Sequence, residues 1–434
     1  MSLTTPEAIR TLQRKLYSKA KAEPTFRFYQ LYDKIWRSDV LAHGYALARA
    51  NAGAPGVDGV DFAEIEAAGL EGWLVGLQDE LREKRYRPQP VRRVMIPKPG
   101  GGERPLGIPT LRDRVVQTAA KLILEPIFEA DLDEAMHGYR PQRSGLDAVQ
   151  AVHGLIREGY TQVVDADLSK YFDTIPHDEL LRSVALRIVD REVLRLIKAW
   201  LQAPVQEDGP GGPRLSGGKQ RREGTPQGGV ISPLLANRYF NRFMRYWRQI
   251  DGEERFAARI VNYADDFVIL SRGQAAEALV WMRAAMRRLG LTVNEAKTCL
   301  RDARHERFDF LGYSFGLHHQ WRNGRRYLGA SPSARAVQRL KDRVGELLRP
   351  RCQPWAEIRD SLNRMLVGWQ GYFCHGTLRQ SYRAIDAHVR TCVRGFLQRR
   401  HKVSSRGTVQ FSHAHIFGDL GVHSMCSTRR GATP

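Results

Sequence analysis

The 434-residue sequence lacks paired cysteines and long apolar runs. Its five cysteines are widely spaced, and no Cys-x-x-Cys pair is present that could clamp zinc or form a redox disulfide. No run of about 18 apolar residues occurs, and the N-terminus shows no apolar segment of signal-peptide length. These absences exclude a disulfide-rich scaffold and a helical membrane protein, and they predict a soluble cytoplasmic protein.

Acidic residues are scarce relative to basic residues. The chain contains 68 Lys and Arg against 47 Asp and Glu, which gives a net charge of +21 at pH 7. Residues 1–320 carry a surplus of 6 positive charges and residues 321–434 a surplus of 15. A solvated basic surface would explain a modest surplus, but a surplus this dense favours a surface that binds nucleic acid phosphates.

The periodicity of apolar residues changes along the chain. Before residue 316, short apolar β-type runs alternate with amphipathic helices. After it, apolar residues recur only at helical spacing, in three successive amphipathic helices. This change places a domain boundary near 316–332 and predicts a separate helical domain after it.

Two apolar β-type segments end in carboxylates. Asp167 lies in VVDADLSKYFDTI, and Asp265 and Asp266 lie in NYADDFVIL. An isolated Asp-Asp pair is most often a hairpin turn, and strand alternation would direct the two side chains to opposite faces. On neighbouring strands, however, a tight turn would let these carboxylates hold two Mg²⁺ ions about 4 Å apart, as nucleotidyl transfer requires.

These segments resemble motifs of the group II intron-encoded reverse transcriptases, or maturases. Tyr263–Asp266 matches the Y-A-D-D signature, Asp167–Asp173 matches the first catalytic motif, and Gly224–Gly228 with Ser232-Pro233 matches the G-x-P-Q-G-x-x-x-S-P motif. Four further segments match in the same order: Arg104–Pro109 (fingers), Leu291–Lys297 (later palm), Phe310–Tyr313 (primer-contacting strand) and Leu366–Phe373 (thumb). The resemblance covers nearly the whole chain.

The resemblance implies an α+β fold of the right-hand polymerase type, followed by an α-helical thumb. It implies an N-terminal extension and the start of the fingers in residues 1–85, and fingers and a palm with an antiparallel catalytic sheet in 86–320. The helical thumb, or maturase domain, is expected in 321–400 and a short basic nucleic-acid-binding segment in 401–434. We expect the compact type without an HNH endonuclease, because no Cys-x-x-Cys pair follows the thumb.

The resemblance also assigns the catalytic centre. Asp167 and Asp265 match the ligands of two Mg²⁺ ions, for which Mn²⁺ is an alternative, and the backbone of Leu168 is expected to assist. Asp266 matches the third catalytic carboxylate.

A nucleotide pocket follows from the same resemblance. Lys98 and Arg104 match fingers residues that clamp the incoming triphosphate, and Gln227 matches a residue that lines the pocket. Phe172 matches the aromatic residue that leaves no room for a ribose 2′-hydroxyl, and Lys297 a lysine proposed to protonate pyrophosphate. From the residues alone, each has a plainer interpretation. Lys98 and Arg104 could belong to a solvated hairpin and Gln227 to an ordinary turn. Phe172 could be a core aromatic, and Lys297 a surface lysine beside a helix.

The implied function is an RNA-directed DNA polymerase and maturase. It would extend a DNA primer on an RNA template with dNTPs, and it would bind its group II intron RNA to assist splicing and retrohoming into target DNA. Arg394, Arg399, Arg400 and Lys402 are predicted to contact nucleic acid, and no membrane partner is expected. Alternatives are a host-adapted group II-like reverse transcriptase in defence or repair, a maturase that only binds RNA as a splicing cofactor, and an RNA-dependent RNA polymerase, which Phe172 argues against.

Overall fold

The first 90 residues form helices. The structure is a computed structural model that describes residues 3–97, 102–209, 212–320, 324–349, 353–403 and 407–426. The chain begins with α1 (Glu7–Ala22), α2 (Tyr32–Ile35), α3 (Ser38–Ala50) and α4 (Phe62–Arg82). A capping box starts α4, because Asp61 and Glu64 each accept a hydrogen bond from the other's backbone N–H. This helical segment is the part in which we predicted an N-terminal extension.

Strands and helices then alternate up to residue 332. The strands are β1 (Val91–Pro97), β2 (Glu103–Ile108), β3 (Gln162–Asp167), β4 (Pro204–Gly209), β5 (Gly212–Gly217), β6 (Ala258–Tyr263), β7 (Asp266–Ser271), β8 (Cys299–Asp302), β9 (Phe308–Phe310), β10 (Tyr313–His319) and β11 (Arg326–Pro332). The helices between them are α5 (Leu111–Glu129), α6 (Gly145–Arg157), α7 (Tyr171–Thr174), α8 (His177–Ala185), α9 (Arg191–Leu201), α10 (Ser232–Gln249), α11 (Gly252–Arg255) and α12 (Ala275–Arg288).

The described strands form three sheets. The fingers sheet has the order β2-β1-β4-β5, in which two antiparallel hairpins meet through a short parallel contact between β1 and β4. The palm sheet has the order β6-β7-β3-β8 and is antiparallel throughout, and β11-β10-β9 form a third antiparallel sheet. The predicted antiparallel catalytic sheet is therefore confirmed.

The two faces of the palm sheet pack against different cores. Val164 on β3 packs with the core that contains α10 and α12, whereas Val163 packs with the core that contains α6 and the third sheet. Because side chains alternate along a strand, Asp165 and Asp167 lie on the face of Val163. The two acids therefore project from the face of the palm sheet that packs against α6 and the third sheet.

The thumb consists of α13 (Ala334–Leu347), α14 (Trp355–Tyr372) and α15 (Arg379–His401), which confirms the predicted helical region. Residues 326–332, however, form β11, so the expectation of helices alone after residue 316 is wrong for this strand. The strand has too few apolar residues to show a period of two. No described helix is both long and apolar enough to span a membrane.

Two tyrosines join the thumb to the third sheet. The Tyr313 hydroxyl donates to the carbonyl of Tyr372 at 2.7 Å, and the Tyr372 hydroxyl donates to the carbonyl of Leu311 at 2.8 Å. The chain after α15 folds back on the thumb, where Phe411 and Met425 are buried in its core. Residues 407–426 contain no Lys or Arg, so this part of the predicted basic segment contributes packing to the thumb.

Candidate active site

The Y-A-D-D motif forms the tight turn between β6 and β7. Tyr263 pairs with Asp266 across the hairpin, so Ala264 and Asp265 are the two turn residues. Ala264 has a φ of 61°, a left-handed conformation that glycine adopts at a lower cost. Asp266 begins β7 directly opposite Asp167 on β3. The turn thus brings Asp265 and Asp266 to the edge of the sheet that carries Asp167.

Buried polar contacts hold the strained turn. The Asn262 side-chain amide donates to the carbonyl of Ala264 at 2.8 Å and to that of Asp266 at 3.3 Å. The backbone of Asn262 bonds in turn to the carbonyl of Ala135 and the N–H of His137. A Cβ atom at Gly138 would overlap the backbone of Ala264. The loop before Tyr139 therefore fits closely over the catalytic turn.

The carboxylates on this face repel one another. Asp266 is exposed at the edge of the sheet, yet partial loss of hydration raises its pKa to about 6, with further contributions from Asp265 and Asp167. Burial also raises the pKa of Asp165 to about 6, with Asp167 and Asp309 adding to the effect and Arg301 opposing it. Clustered negative charge of this kind favours the binding of a cation, although Arg301 and Lys297 compensate part of it.

The oxygen donors fit a hard divalent cation. Among the described residues, no three His, Cys, Asp or Glu side chains are already arranged to enclose a metal ion. Mg²⁺, however, is usually bound by one or two carboxylates, with waters and substrate phosphates completing the coordination. Asp167, Asp265 and the adjoining backbone of Leu168, which bridges to Val293, provide such an incomplete oxygen set.

Asp167 is oriented by the segment that precedes β8. The Asn294 side-chain amide donates to Asp167 Oδ2 at 2.8 Å, and the Asn294 N–H donates to the Asp167 carbonyl at 2.8 Å. Lys297 Nζ lies 3.3 Å from the same Oδ2, and its side chain is 66% exposed. The structure therefore places Lys297 at the catalytic carboxylate. Asn294 was not predicted as a site residue. The sequence could have indicated it only through its position within the matched palm motif Leu291–Lys297.

The fingers and the palm meet at Gln227. Arg104 Nε donates to Gln227 Oε1 at 2.8 Å, and Gln227 Nε2 donates to Asp173 Oδ2 at 3.0 Å. The Gly107 N–H on β2 also donates to the carbonyl of Gln227 at 2.6 Å. Arg104 and Gln227, which were each predicted to belong to the nucleotide pocket, are thus in contact, whereas Lys98 lies outside the described residues. Asp173 was not predicted as a site residue.

Phe172 lies in α7, the single helical turn that follows β3. Its ring is 6% exposed and makes edge contacts with the rings of Tyr139, at 6.2 Å, and Tyr171, at 5.7 Å. Tyr139 is 45% exposed and has a φ of 56°. Burial raises the pKa of Tyr139, and Asp265 adds to this effect. Tyr139 therefore lies between Phe172 and the catalytic turn, a position that no sequence motif indicated.

The four predicted nucleic-acid-binding residues lie at the end of α15. Arg394 is half-buried and donates to the carbonyl of Phe411 at 3.3 Å, whereas Arg399, Arg400 and Lys402 are exposed. Arg399 donates to the carbonyl of Leu348 at 3.4 Å and Arg400 to that of Gln353 at 2.9 Å. All four belong to the thumb rather than to the catalytic sheet.

An antiparallel palm sheet with Asp167 and Asp266 paired at its end, a fingers hairpin joined to the palm at Gln227 and a helical thumb are typical of nucleic acid polymerases. Residues 96–315 match the family of reverse transcriptases (RNA-dependent DNA polymerases), and residues 337–411 match the group II intron maturase-specific domain. The chain belongs to the reverse transcriptase family. The predicted right-hand fold and the group II intron type are thereby confirmed. Enzymes of this family use divalent metal ions and act on nucleic acids.

Several curated proteins are similar to this chain. Protein YkfC of Escherichia coli (strain K12) is 36% identical over 302 residues, which are 62% of this chain and 77% of that protein. The group II intron-encoded protein LtrA of Lactococcus lactis subsp. cremoris is 34% identical over 226 residues, which are 51% of this chain and 36% of LtrA. The putative COX1/OXI3 intron 1 protein of Saccharomyces cerevisiae is 28% identical over 359 residues, which are 70% of this chain and 40% of that protein. The chain thus spans less than half the length of each of these two intron proteins.

Proposed function

We propose that this chain extends a DNA primer on an RNA template by Mg²⁺-dependent nucleotidyl transfer at Asp167, Asp265 and Asp266. The observation that carries the proposal is the register of the palm sheet, which sets Asp167 opposite Asp266 with Asp265 in the adjoining turn. Bound Mg²⁺ would neutralise charge on the triphosphate and activate the primer 3′-hydroxyl for attack on the α-phosphate. The carboxylates would hold the ions in place, and the resulting alignment of the 3′-hydroxyl with the α-phosphate would supply a large part of the rate.

Groups around the carboxylates fit the remaining needs of the reaction. The Arg104 guanidinium presents paired N–H donors that suit phosphate oxygens, and it reaches the palm through Gln227. Lys297 has a proton to donate and lies at Asp167, close to where pyrophosphate would leave. The Phe172 ring closes the side of the pocket beneath the sugar, which favours dNTPs over NTPs.

We also propose that the chain acts as a maturase, binding its group II intron RNA through the thumb and assisting splicing and retrohoming. The maturase-specific match over 337–411 and the positive surplus of residues 321–434 support this second role. A protein that only binds RNA would have no need of three carboxylates clustered at an energetic cost. A host-adapted role in defence or repair would use the same chemistry on a different RNA.

Primer extension tests the enzymatic proposal. The protein should extend a DNA primer on an RNA template with dNTPs and Mg²⁺ and should use NTPs poorly. Asp265→Asn should lower the rate by roughly a thousandfold or more, because it removes a metal ligand and leaves the RNA-binding surface intact. Asp33→Asn, which neutralises an exposed carboxylate on α2, is the matched control and should keep the full rate. Extension by Asp265→Asn at near the wild-type rate would refute the catalytic assignment.

A further inference from the structure

Gln227 connects two charged residues that never touch each other. Its side-chain oxygen accepts from Arg104 Nε, and its side-chain nitrogen donates to Asp173 Oδ2. Arginine has only donors and an ionised aspartate only acceptors, so the amide satisfies both partners in one of its two orientations. Asp173 and Arg104 therefore select the same orientation of the Gln227 amide, and Asp173 anchors that amide to the palm.

We propose that Asp173 is a positioning residue for the incoming nucleotide, a proposal that rests on the function proposed above. It orients the Gln227 amide and, through it, holds Arg104 of the fingers hairpin at the pocket. A carboxylate in direct contact with Arg104 would pair with the guanidinium and compete with the triphosphate. The neutral amide between them holds the arginine in place and leaves its charge for the phosphates.

Arg104, Gln227 and Asp173 form a hydrogen-bonded relay, and backbone hydrogen bonds hold it on both sides. On the fingers side, the Gly107 N–H donates to the Gln227 carbonyl. On the palm side, the Thr225 N–H donates to the Phe172 carbonyl at 2.7 Å and the Gly224 N–H to the Ile175 carbonyl at 2.8 Å. Gly224 has a φ of 82°, and a Cβ atom there would lie 2.6 Å from the carbonyl oxygen of Asp173. The loop that bears Gln227 thus lies directly on the turn that bears Phe172 and Asp173. A change in the orientation of Gln227 therefore reaches the sugar pocket and the triphosphate clamp together.

Arg221 offers a competing explanation for Asp173. Its guanidinium lies near Asp173 and interacts electrostatically with that carboxylate. The Arg221 Nε, however, donates to the carbonyl of Glu223 at 2.9 Å. If Asp173 served Arg221, its loss would disturb the loop without acting through Gln227. The two explanations predict different behaviour when Asp173 and Gln227 are changed together.

The first variant is Asp173→Asn, which keeps the shape of the side chain. An asparagine is neutral, so its side-chain oxygen would hold Gln227 Nε2 more weakly than the carboxylate does, and Gln227 would hold Arg104 less firmly. The KM for dNTP should rise roughly tenfold, as expected when a hydrogen bond to a charged group is removed, while kcat changes less than about twofold. The matched control is Glu223→Gln, which removes an exposed acidic charge from the same loop and should leave both constants unchanged.

A double-mutant cycle identifies the path of the effect. Gln227→Met removes both hydrogen bonds, so Asp173→Asn should add no further increase in KM in its presence if Asp173 acts through Gln227. The proposal would be overturned if the increase in KM in the double variant equalled the product of the two single increases. It would also be overturned if Asp173→Asn left KM unchanged. Thermal unfolding midpoints within about 2 °C of the wild type would show that the variants are folded.

Nucleotide binding without chemistry separates this inference from the polymerase proposal. The affinity for a complementary dNTP is measured on a complex of the protein with a chain-terminated primer on an RNA template. Asp173→Asn should weaken this affinity by the same factor as it raises KM. A wild-type protein that binds dNTP but extends no primer would refute the proposed chemistry and leave the relay supported by the weaker binding of the variant. Equal dNTP affinity in wild type and variant would refute the relay alone.

Discussion

At the scale of single residues, Phe172 is the position with two open interpretations. Its ring is nearly buried, as a core aromatic would be, yet it also contacts the half-exposed Tyr139 beside the catalytic turn. Phe172→Val should raise the use of NTPs relative to dNTPs by roughly tenfold or more, because it opens space for a 2′-hydroxyl. The measurement is the ratio of kcat/KM for a matched NTP and dNTP.

Tyr171→Phe is the control for this prediction. Tyr171 lies in the same turn and is buried, and its hydroxyl donates to the carbonyl of Ala236 at 2.7 Å. Its loss should lower stability by about 1 kcal/mol without changing the sugar preference. A sugar ratio that is equally unaffected in Phe172→Val would assign the Phe172 ring to the core.

The sequence indicated the residues of the catalytic centre that lie within contiguous motifs. Asp167, Asp265 and Asp266 could be proposed as catalytic residues from the sequence because they lie at the ends of apolar strands within the matched motifs. Asn294, Tyr139 and the role of Asp173 could not. Asn294 meets Asp167 across 127 residues of chain, and Gln227 meets Asp173 across 54, so only the folded structure specifies these hydrogen bonds.

At the scale of elements, helices and the palm strands were predictable from periodicity, whereas β11 and the path of the chain after α15 were not. Residues 407–426 return to the thumb and are held there by Asp386 of α15. This carboxylate is 8% exposed and accepts from Ser424 Oγ at 2.8 Å, the Met425 N–H at 2.9 Å and the Cys426 N–H at 3.1 Å. This buried acid therefore holds the last described residues on the thumb, while Asn363 of α14 binds the same segment through Gly421 and His423.

Asp386→Asn should destabilise the thumb by about 2 kcal/mol. The new NH₂ group would face donors that now point to a carboxylate oxygen, and buried donors without acceptors are costly. Thermal unfolding should show the loss, while dNTP affinity at the palm should stay at the wild-type value below the transition. Asp360→Asn on α14, where the side chain is 59% exposed, is the control and should change stability by less than about 0.5 kcal/mol. Equal stability of the two variants would contradict this role of Asp386.

At the scale of the whole molecule, positive charge and catalytic carboxylates belong to different parts of the chain. Residues 321–434 carry a surplus of 15 positive charges, and the described residues 407–426 contribute no Lys or Arg to it. The three thumb helices carry 12 Lys and Arg against 5 Asp and Glu, a surplus of 7 positive charges. Composition alone indicated the basic region, but the assignment of charge to helices rather than to the terminal segment required the structure.

The final prediction concerns the exposed charges at the end of α15. Changing Arg399, Arg400 and Lys402 together to Gln should weaken binding to a primer–template duplex at low salt. The slope of log K against log salt should become shallower by roughly one unit for each phosphate that the variant no longer neutralises, with little discrimination between sequences. Arg394 stays unchanged in this variant, because it is half-buried and bonds to the carbonyl of Phe411.

A control variant removes the same charge from the other side of the palm. Arg255, Arg287 and Arg288 are exposed on α11 and α12, the helices of the core that packs behind the catalytic sheet. Their replacement by Gln lowers the net charge equally, so it should reduce long-range attraction slightly but leave the salt slope close to that of the wild type. If both variants remain folded and show equal slopes, the end of α15 is a solvated surface, and the residues that bind phosphate lie elsewhere on the thumb.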